Sequence, residues 1–196
     1  MNAEHQTAIV TGASSGIGLG ITQSLLERGY HVVGNSRSII KSKELKASGN
    51  LVLVDGDISK KETAVKVADA AIRHFGRIDL LVNSAGIYIP KPFTEYTPED
   101  FEMMIGTNIA GYFFITQQAV TQMRKQKSGH IVSVSTVLTD QPLAGAPISL
   151  PVLTKSTIPA FSRALAMEYV ADGIRVNTIS PGVVDTPMHA NETTSS

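Results

Sequence analysis

Three closely spaced glycines could bind a phosphate group. Gly12, Gly16 and Gly18 stand within the segment TGASSGIG at residues 11–18, directly after an apolar run and directly before a helical pattern. Glycine lets the chain turn tightly and lets a phosphate approach the backbone, and the following helix N-terminus supplies amide donors. An ordinary turn is the alternative, but the strand-turn-helix context favours a nucleotide site. The residues predicted to contact a dinucleotide here are Gly12, Ser14, Ser15, Gly16, Ile17 and Gly18.

The residues after the second predicted strand indicate which coenzyme fits. A dinucleotide fold that takes NAD usually has an acidic residue about 20 residues past the glycines, whereas NADP needs a cation and no acid there. This chain has GNSRS at residues 34–38, with the guanidinium of Arg37 and neutral donors at Asn35, Ser36 and Ser38. A solvated surface arginine is the alternative. We predict NADP(H) in preference to NAD(H), with Ser36 and Arg37 as contacts to the coenzyme.

Composition and charge exclude several classes of protein. Of the 196 residues, 42% are hydrophobic and 17% are charged, so the chain can bury a substantial core and is not disordered. Seventeen basic residues balance 17 acidic ones, which argues against a nucleic-acid partner or an anionic membrane surface. The chain has no cysteine and only scattered histidines, so we predict no disulfide and no metal site. We expect a cytoplasmic protein whose redox chemistry comes from a cofactor, since no apolar run is long enough to cross a membrane.

Short β-branched runs alternate with longer helical patterns along the chain. This alternation is typical of βαβ units and predicts an α/β fold, a Rossmann-like doubly wound parallel sheet with helices on both faces. We place no boundary within residues 1–196 and predict a single dinucleotide-binding domain. The predicted strands cover residues 7–11, 31–34, 51–54, 78–82, 130–134 and 175–179.

Helix starts are recognisable between these strands. Ser59 followed by Glu62 is read as a capping box that opens a helix to about residue 75, and Thr97 opens another before a proline and two acids. Apolar spacing over residues 105–120 predicts a strongly amphipathic helix. Such a helix has one face available for burial, either in the core or between subunits.

Several motifs together resemble those of the short-chain dehydrogenase/reductase family. They are the GxxxGxG glycine spacing, DI at 57–58, NSAG at 83–86, asparagine at 108, lysine at 155 and PGVVDT at 181–186. They follow the family's order and span residues 7–188. The resemblance implies a parallel dinucleotide-binding fold and hydride transfer between a nicotinamide coenzyme and a carbonyl or alcohol. It also implies a homodimer or homotetramer.

The resemblance also assigns roles to individual residues. Asn108 matches the family's active-site asparagine, and Lys155 matches the lysine that binds the nicotinamide ribose. A turn role for Asp57 and structural roles for Asn83 and Asn108 stay open. The further coenzyme contacts implied are Asp57, Ile58, Asn83, Ala85, Gly86, Lys155, Pro181, Gly182, Val184 and Thr186.

The resemblance fails where the family has its catalytic tyrosine. In the family a tyrosine four residues before the lysine transfers the proton, and a serine polarises the substrate oxygen. Here Pro151 stands four residues before Lys155, and Thr136, beside Ser135, matches the serine. Proline has no side-chain proton to donate, so hydride transfer needs another donor. The candidate donors are Tyr88, Ser149 and a water held by Asn108 and Lys155.

Pro151 and Pro159 both lie where a helix should carry Lys155. Pro151 could fit the first turn of that helix. Pro159 lacks the amide that would bond the Lys155 carbonyl, and an interior helix proline destabilises by about 3 kcal/mol or more. The helix therefore either kinks at Pro159 or begins later, and we expect the later start, near Ser156 or Thr157, with residues 150–154 irregular.

The sequence predicts an NADP(H)-linked oxidoreductase with Asn108, Thr136 and Lys155 in its active site. A catalytically silent dinucleotide-binding protein, acting as a cofactor sensor or an assembly partner, is the alternative, because Pro151 removes the expected proton donor. Residues 191–196 are a polar tail, and we expect the family's C-terminal strand to be missing or the chain to be truncated.

Overall fold

Parallel strands form one sheet in this protein. The computed structural model describes residues 6–187. In chain order the strands are β1 (Thr7–Thr11), β2 (His31–Ser36), β3 (Leu51–Asp55), β4 (Leu80–Asn83), β5 (Gly129–Val134) and β6 (Ile174–Ile179). Their order across the sheet is β3-β2-β1-β4-β5-β6, and every neighbouring pair is parallel. β1, β2 and β3 therefore extend the sheet in one direction, and β4, β5 and β6 extend it in the other direction from β1. The chain reverses its direction across the sheet at the boundary between β1 and β4.

Helices connect these strands. They are α1 (Gly16–Glu27), α2 (Lys61–Phe75), α3 (Pro98–Ile105), α4 (Tyr112–Gln126) and α5 (Ser149–Glu168). A π-helical turn, Gly106–Gly111, joins α3 to α4. Short 3-10 turns lie at Ile39–Lys41, Phe93–Glu95, Val137–Thr139 and Val170–Asp172. None of the helices in the described part of the chain combines the length and apolar character needed to cross a membrane.

Both faces of the sheet are buried. Adjacent residues of a strand point to opposite faces, and Ile9 and Val10 of β1 are both fully buried. Ile9 belongs to a core cluster with Val67 of α2 and Ile115 of α4. Val10 belongs to a second cluster, against which Leu25 of α1 packs. The predicted α/β fold, a doubly wound parallel sheet with helices on both faces, is confirmed.

One strand is shorter than the sequence predicts. β4 begins at Leu80 and not at residue 78. The Ile78 amide donates to Gln126 Oε1 at 3.0 Å, and Gln126 Nε2 donates to the Ile78 carbonyl at 2.8 Å. Because a side chain takes both backbone groups of Ile78, this residue does not join the strand ladder.

One of the two predicted helix caps is wrong. The N-cap of α2 is Lys60, and its side chain caps no amide. The Ser59 amide donates to Asp57 Oδ1 at 2.9 Å, so this segment forms a turn ahead of the helix. The start of α3 is confirmed, because Thr97 Oγ1 accepts from the Asp100 amide at 3.2 Å and the Asp100 carboxylate accepts from the Thr97 amide at 3.1 Å.

Candidate active site

The carboxyl ends of β1, β4 and β5 bring the predicted site residues together. Thr11, at the end of β1, is buried, and its Oγ1 accepts from the amides of Ser84 at 3.2 Å and Ala85 at 3.1 Å. These bonds tie the end of β1 to the NSAG segment after β4. Open parallel sheets bind ligands at the carboxyl ends of strands, where the chain reverses its direction across the sheet. The candidate site lies at this reversal.

The glycine loop has the backbone shape that its sequence predicts. Gly12 and Gly16 have φ angles of +69° and +51°, a region that favours glycine. A Cβ at Gly12 would lie 2.9 Å from the Ala85 Cα. Ser15 precedes α1 without a side-chain cap bond, and the first turn of α1 has no acidic residue. The opening amides of α1 are therefore free of a competing side-chain cap, which fits the diphosphate of a dinucleotide.

Asn108 lies in the π-helical turn that interrupts the predicted amphipathic helix. Its side chain is buried, and both its oxygen and its nitrogen are hydrogen-bonded. Oδ1 accepts from the Ile87 amide at 2.9 Å, while Nδ2 donates to the Ile87 carbonyl and to Thr154 Oγ1, both at 3.0 Å. The structural role that the sequence left open is therefore present, since this side chain holds the NSAG loop against α5.

Lys155 reaches the same place from α5. Its Nζ donates to the Val134 carbonyl at 2.9 Å. A Cβ at Gly86 would lie 3.0 Å from this nitrogen and 3.3 Å from Asn108 Oδ1. Burial disfavours the charged amine and lowers the pKa of Lys155 to about 8. Lysine, NSAG loop and β5 therefore meet at one point.

α5 starts earlier than the sequence predicts. Residues 150–154 are helical and not irregular, so a start beyond Lys155 is wrong. The Val152 amide donates to the Ile148 carbonyl at 2.9 Å. Pro151 comes before this bond, among the first-turn residues whose amides have no partner within a helix. Its missing N–H therefore removes no helical hydrogen bond.

Pro159 lies inside α5 without ending it. Its missing N–H would otherwise bond the carbonyl of Lys155. Ser135, at the end of β5, donates its Oγ–H to that carbonyl at 3.1 Å instead. This bond from another element offsets the effect that the sequence assigned to Pro159, and Lys155 lies within a continuous helix.

Thr136 follows β5 and opens a 3-10 turn. Its Oγ1 accepts from the Leu138 amide at 3.3 Å, so the hydroxyl proton can be donated to another group. The next amide, that of Val137, donates to the Pro181 carbonyl at 3.1 Å. This bond places the start of the PGVVDT segment beside the end of β5.

The PGVVDT segment then returns to the glycine loop. A Cβ at Gly16 would lie 3.2 Å from the Thr186 Cβ, so Thr186 packs directly over this glycine. Gly182 and Val184 are exposed. The segment therefore connects the end of β5 with the start of α1.

The end of β2 presents a cation at the surface. Arg37 is exposed and Ser36 is half-buried. Asn35 is buried, and its Nδ2 donates to the carbonyls of Val54 at 2.9 Å and Gly56 at 3.2 Å. The interpretation of Asn35 as a neutral donor to the coenzyme is therefore wrong.

Asp57 and Ile58 have different surroundings. Asp57 is exposed, and its Oδ1 accepts from the Ser59 amide at 2.9 Å, as expected of a turn residue. Ile58 is buried against Gly111, where a Cβ would lie 2.9 Å from Ile58 Cγ2. The Ile58 side chain belongs to the core, whereas the Asp57 side chain is at the surface.

Asn83 borders a small cavity that Lys155 and Asn108 also line. Its Nδ2 donates to Thr116 Oγ1 at 3.1 Å and to Ser133 Oγ at 3.5 Å. Within the described part of the chain its buried Oδ1 has no hydrogen-bond partner. The cavity volume is about 10 Å³, which is room for about one water molecule.

Comparison with known proteins identifies the family. The model of the short chain dehydrogenase family matches residues 6–196. The chain belongs to the short-chain dehydrogenase family. An uncharacterized oxidoreductase of Staphylococcus epidermidis is 35% identical over 187 residues, which are 94% of this chain and 80% of that protein. A hydroxynaphthalene reductase-like protein of Metarhizium robertsii is 34% identical over 191 residues, covering 94% of this chain and 70% of that protein.

A solved structure agrees with this assignment to the short-chain dehydrogenases. The 3-ketoacyl-(acyl-carrier-protein) reductase of Brucella melitensis, solved with NADH, has a TM-score of 0.89 and 25% identity. The match covers 95% of this chain and 79% of that one. The protein is therefore a Rossmann-like oxidoreductase of this family.

The sequence did not indicate the roles that Thr154 and Ser135 have in this short-chain dehydrogenase site. Thr154 is fully buried, accepts from Asn108 and donates to the Pro151 carbonyl at 3.0 Å. Ser135 supports the backbone of α5. Pro159 is a signal that could have revealed Ser135, because the helix carbonyl it leaves without a donor needs another one. No local pattern marks Thr154.

Proposed function

We propose that this short-chain dehydrogenase is an NADP(H)-linked oxidoreductase that transfers a hydride between the nicotinamide and a carbonyl or alcohol substrate. The observation that carries the proposal is the position of the Lys155 amine, bonded to the Val134 carbonyl where the NSAG loop, β5 and α5 meet. The family places a lysine at the nicotinamide ribose, and the NSAG loop beside Lys155 also packs against Gly12 of the glycine loop that opens α1.

The proposed coenzyme contacts surround this cleft. When bound, the coenzyme supplies the hydride acceptor or donor. The opening amides of α1 fit its diphosphate, and Arg37 offers a planar fork to a 2′-phosphate. The NADH complex of the Brucella reductase supports a nicotinamide coenzyme. The residues proposed to hold it are Gly12, Ser14, Ser15, Gly16, Ile17, Gly18, Ser36, Arg37, Asp57, Ile58, Asn83, Ala85, Gly86, Lys155, Pro181, Gly182, Val184 and Thr186.

The proposed chemistry divides two duties between Thr136 and Lys155. Thr136 donates a hydrogen bond to the substrate oxygen and so polarises the carbonyl, while its hydroxyl keeps its proton. Lys155, whose pKa is lowered to about 8, is acidic enough to supply a proton near neutral pH. The small cavity beside Lys155 supports a water as the carrier of this proton. Ser149 and Tyr88 are the other candidate proton donors. Ser149 is exposed at the first residue of α5, and Tyr88 lies beyond the NSAG loop.

Coenzyme titration followed by a substrate screen tests the proposed function. Calorimetry with NADPH and NADH is expected to show binding to the wild-type protein and much weaker binding to Lys155→Met. Loss of NADPH absorbance with aldehydes and ketones then reports turnover. The panel begins with β-ketoacyl thioesters and hydroxynaphthalene-type ketones, the classes in the relatives' names. Binding without turnover of any carbonyl would favour the catalytically silent alternative, and no binding would contradict both.

Arg37→Asp is expected to reverse the coenzyme preference. A charge-assisted phosphate contact contributes about 1.5 to 3 kcal/mol, so NADPH affinity should fall by roughly 10- to 150-fold while NADH affinity is kept. Calorimetric dissociation constants for both coenzymes measure the ratio. Arg28→Asp makes the same charge change on an exposed residue at the other end of α1 and is the matched control. An unchanged ratio in Arg37→Asp would show that Arg37 does not contact the phosphate.

We further propose that the protein is a homodimer or homotetramer through α4 and α5. A groove of about 340 Å³ lies between these helices, with Phe113, Phe161 and Leu165 among its lining residues. Phe113 is 44% exposed, and an exposed apolar groove on two helices is suited to a twofold contact. Light scattering at micromolar concentration should give a multiple of the chain mass.

Phe113→Glu is expected to shift this assembly to smaller species, because a charge would be buried at the contact. Phe93→Glu, at a more exposed phenylalanine outside these helices, is the control and should leave the mass unchanged. A monomeric wild-type protein, or equal masses for all three proteins, would contradict this interface.

A further inference from the structure

The Lys155 carbonyl has lost its usual helical hydrogen bond. In a regular α5 it would accept from the amide of residue 159, but Pro159 has no N–H. A buried carbonyl without a donor is unfavourable, so native proteins nearly always provide another partner. The partner chosen at this position bears directly on where the Lys155 side chain starts.

Ser135 supplies the missing donor. Its Oγ–H donates to the Lys155 carbonyl at 3.1 Å. Ser135 is only 4% exposed, and its own amide donates to the Ile179 carbonyl of β6 at 2.8 Å. The sheet therefore holds the Ser135 backbone, and the Ser135 hydroxyl connects the sheet to α5 at Lys155.

The neighbouring residue holds the other end of the same lysine. The Val134 carbonyl accepts from Lys155 Nζ at 2.9 Å. Two consecutive residues at the carboxyl end of β5 thus bind Lys155, Val134 at its amine and Ser135 at its main-chain carbonyl. Gly86 leaves the space that the amine occupies, since a Cβ there would lie 3.0 Å from Nζ.

We propose that Ser135 is the positioning residue for Lys155. Its hydroxyl replaces the helix donor that Pro159 removes and so fixes where the lysine amine lies in the cleft. The inference rests on the proposed function only in taking Lys155 as a coenzyme contact. In this role Ser135 acts through Lys155 and not on the substrate.

The role proposed for Ser135 depends on Pro159, so variants of both residues test it. Pro159→Ala restores an amide at residue 159, which can bond the Lys155 carbonyl in the ordinary helical way. Ser135→Ala should therefore matter in the wild-type background and become harmless when combined with Pro159→Ala. Ser135→Thr keeps a hydroxyl and is the conservative variant.

Two measurements follow the lysine and the coenzyme separately. NMR titration of lysine-labelled protein reports the ionisation of Lys155, whose resonance is identified by its absence in Lys155→Met. Calorimetry gives the NADPH dissociation constant. Ser135→Ala is expected to move the Lys155 titration toward that of a solvated lysine and to raise the NADPH dissociation constant about tenfold. Ser135→Thr and the double variant should restore both values.

Equal effects of Ser135→Ala with and without Pro159→Ala would overturn the proposal, as would an unchanged titration in Ser135→Ala. If the wild-type protein binds no NADPH, the proposed function fails, whereas the NMR titration still decides the role of Ser135. If Ser135→Ala alone does not fold, the double variant decides. A folded double variant that titrates like the wild type supports the proposal, and one that does not overturns it.

Discussion

Replacing Pro151 with tyrosine is expected to raise kcat/KM for carbonyl reduction by about 100-fold or more. Pro151 lies one helical turn before Lys155 on α5, where the family resemblance places a tyrosine. General acid catalysis typically contributes about 10² to 10⁴-fold, and proline cannot provide it. Because residue 151 is in the first turn of α5, the new amide needs no partner within the helix.

Pro151→Phe is the matched control for this substitution. Pro151 is buried, so both aromatic rings impose a similar packing strain on the start of α5. The two variants differ only in the phenolic hydroxyl. Equal kcat/KM values for them, with both shown to be folded by thermal melting, would mean that position 151 is not where the proton donor belongs.

The second large effect is expected on stability when Lys155 is replaced by methionine. Burial lowers the pKa of Lys155 from its ordinary 10.5 to about 8, so the folded protein binds this proton less well than the unfolded chain. Below pH 8 both states carry the proton, and the folded state bears the full penalty of about 3 kcal/mol. Between pH 8 and 10.5 the folded state loses the proton first, so the wild-type protein regains stability relative to Lys155→Met.

Urea unfolding at pH 7, 9 and 10 measures this change. The free energy of unfolding of Lys155→Met minus that of the wild type should decrease as the pH rises, by about 2.5 kcal/mol between pH 7 and pH 10. Taking this difference cancels the groups that titrate in both proteins. Lys61→Met makes the same replacement at an exposed residue and serves as the control. A difference that stays constant with pH would show that Lys155 carries no buried charge.

The sequence was sufficient to predict the fold because the apolar patterns of strands and helices lie within short segments of the chain. Each of the six strands lies within a few residues of its predicted position, and the glycine loop makes the predicted tight turn, with positive φ angles at Gly12 and Gly16. The error at the start of β4 comes from a distant side chain that binds the backbone. Gln126 takes both backbone groups of Ile78, and no pattern near residue 78 contains that information.

The sequence also identified which residues meet in the cleft but not how they are bonded. Asn108 and Lys155 lie close together, yet the hydrogen bonds of the Asn108 side chain go to Ile87 and Thr154. The predicted start of α5 was wrong because the rule for proline assumes that each helix carbonyl accepts its hydrogen bond from an amide of the same helix. Ser135 satisfies that carbonyl from the sheet, a tertiary contact that helix propensity does not include.

The reversal of the chain between β1 and β4 has a consequence for folding. It pairs Ala8 with Leu80, so the centre of the sheet closes only after the intervening chain has been brought back. Such non-local closure is slow, and the cleft does not exist until β1, β4 and β5 are in register. A coenzyme that recognises this cleft therefore binds the complete sheet and not its folding intermediates. At 100 times its dissociation constant it would stabilise the native state by about 2.7 kcal/mol and so lower the unfolded fraction about 100-fold.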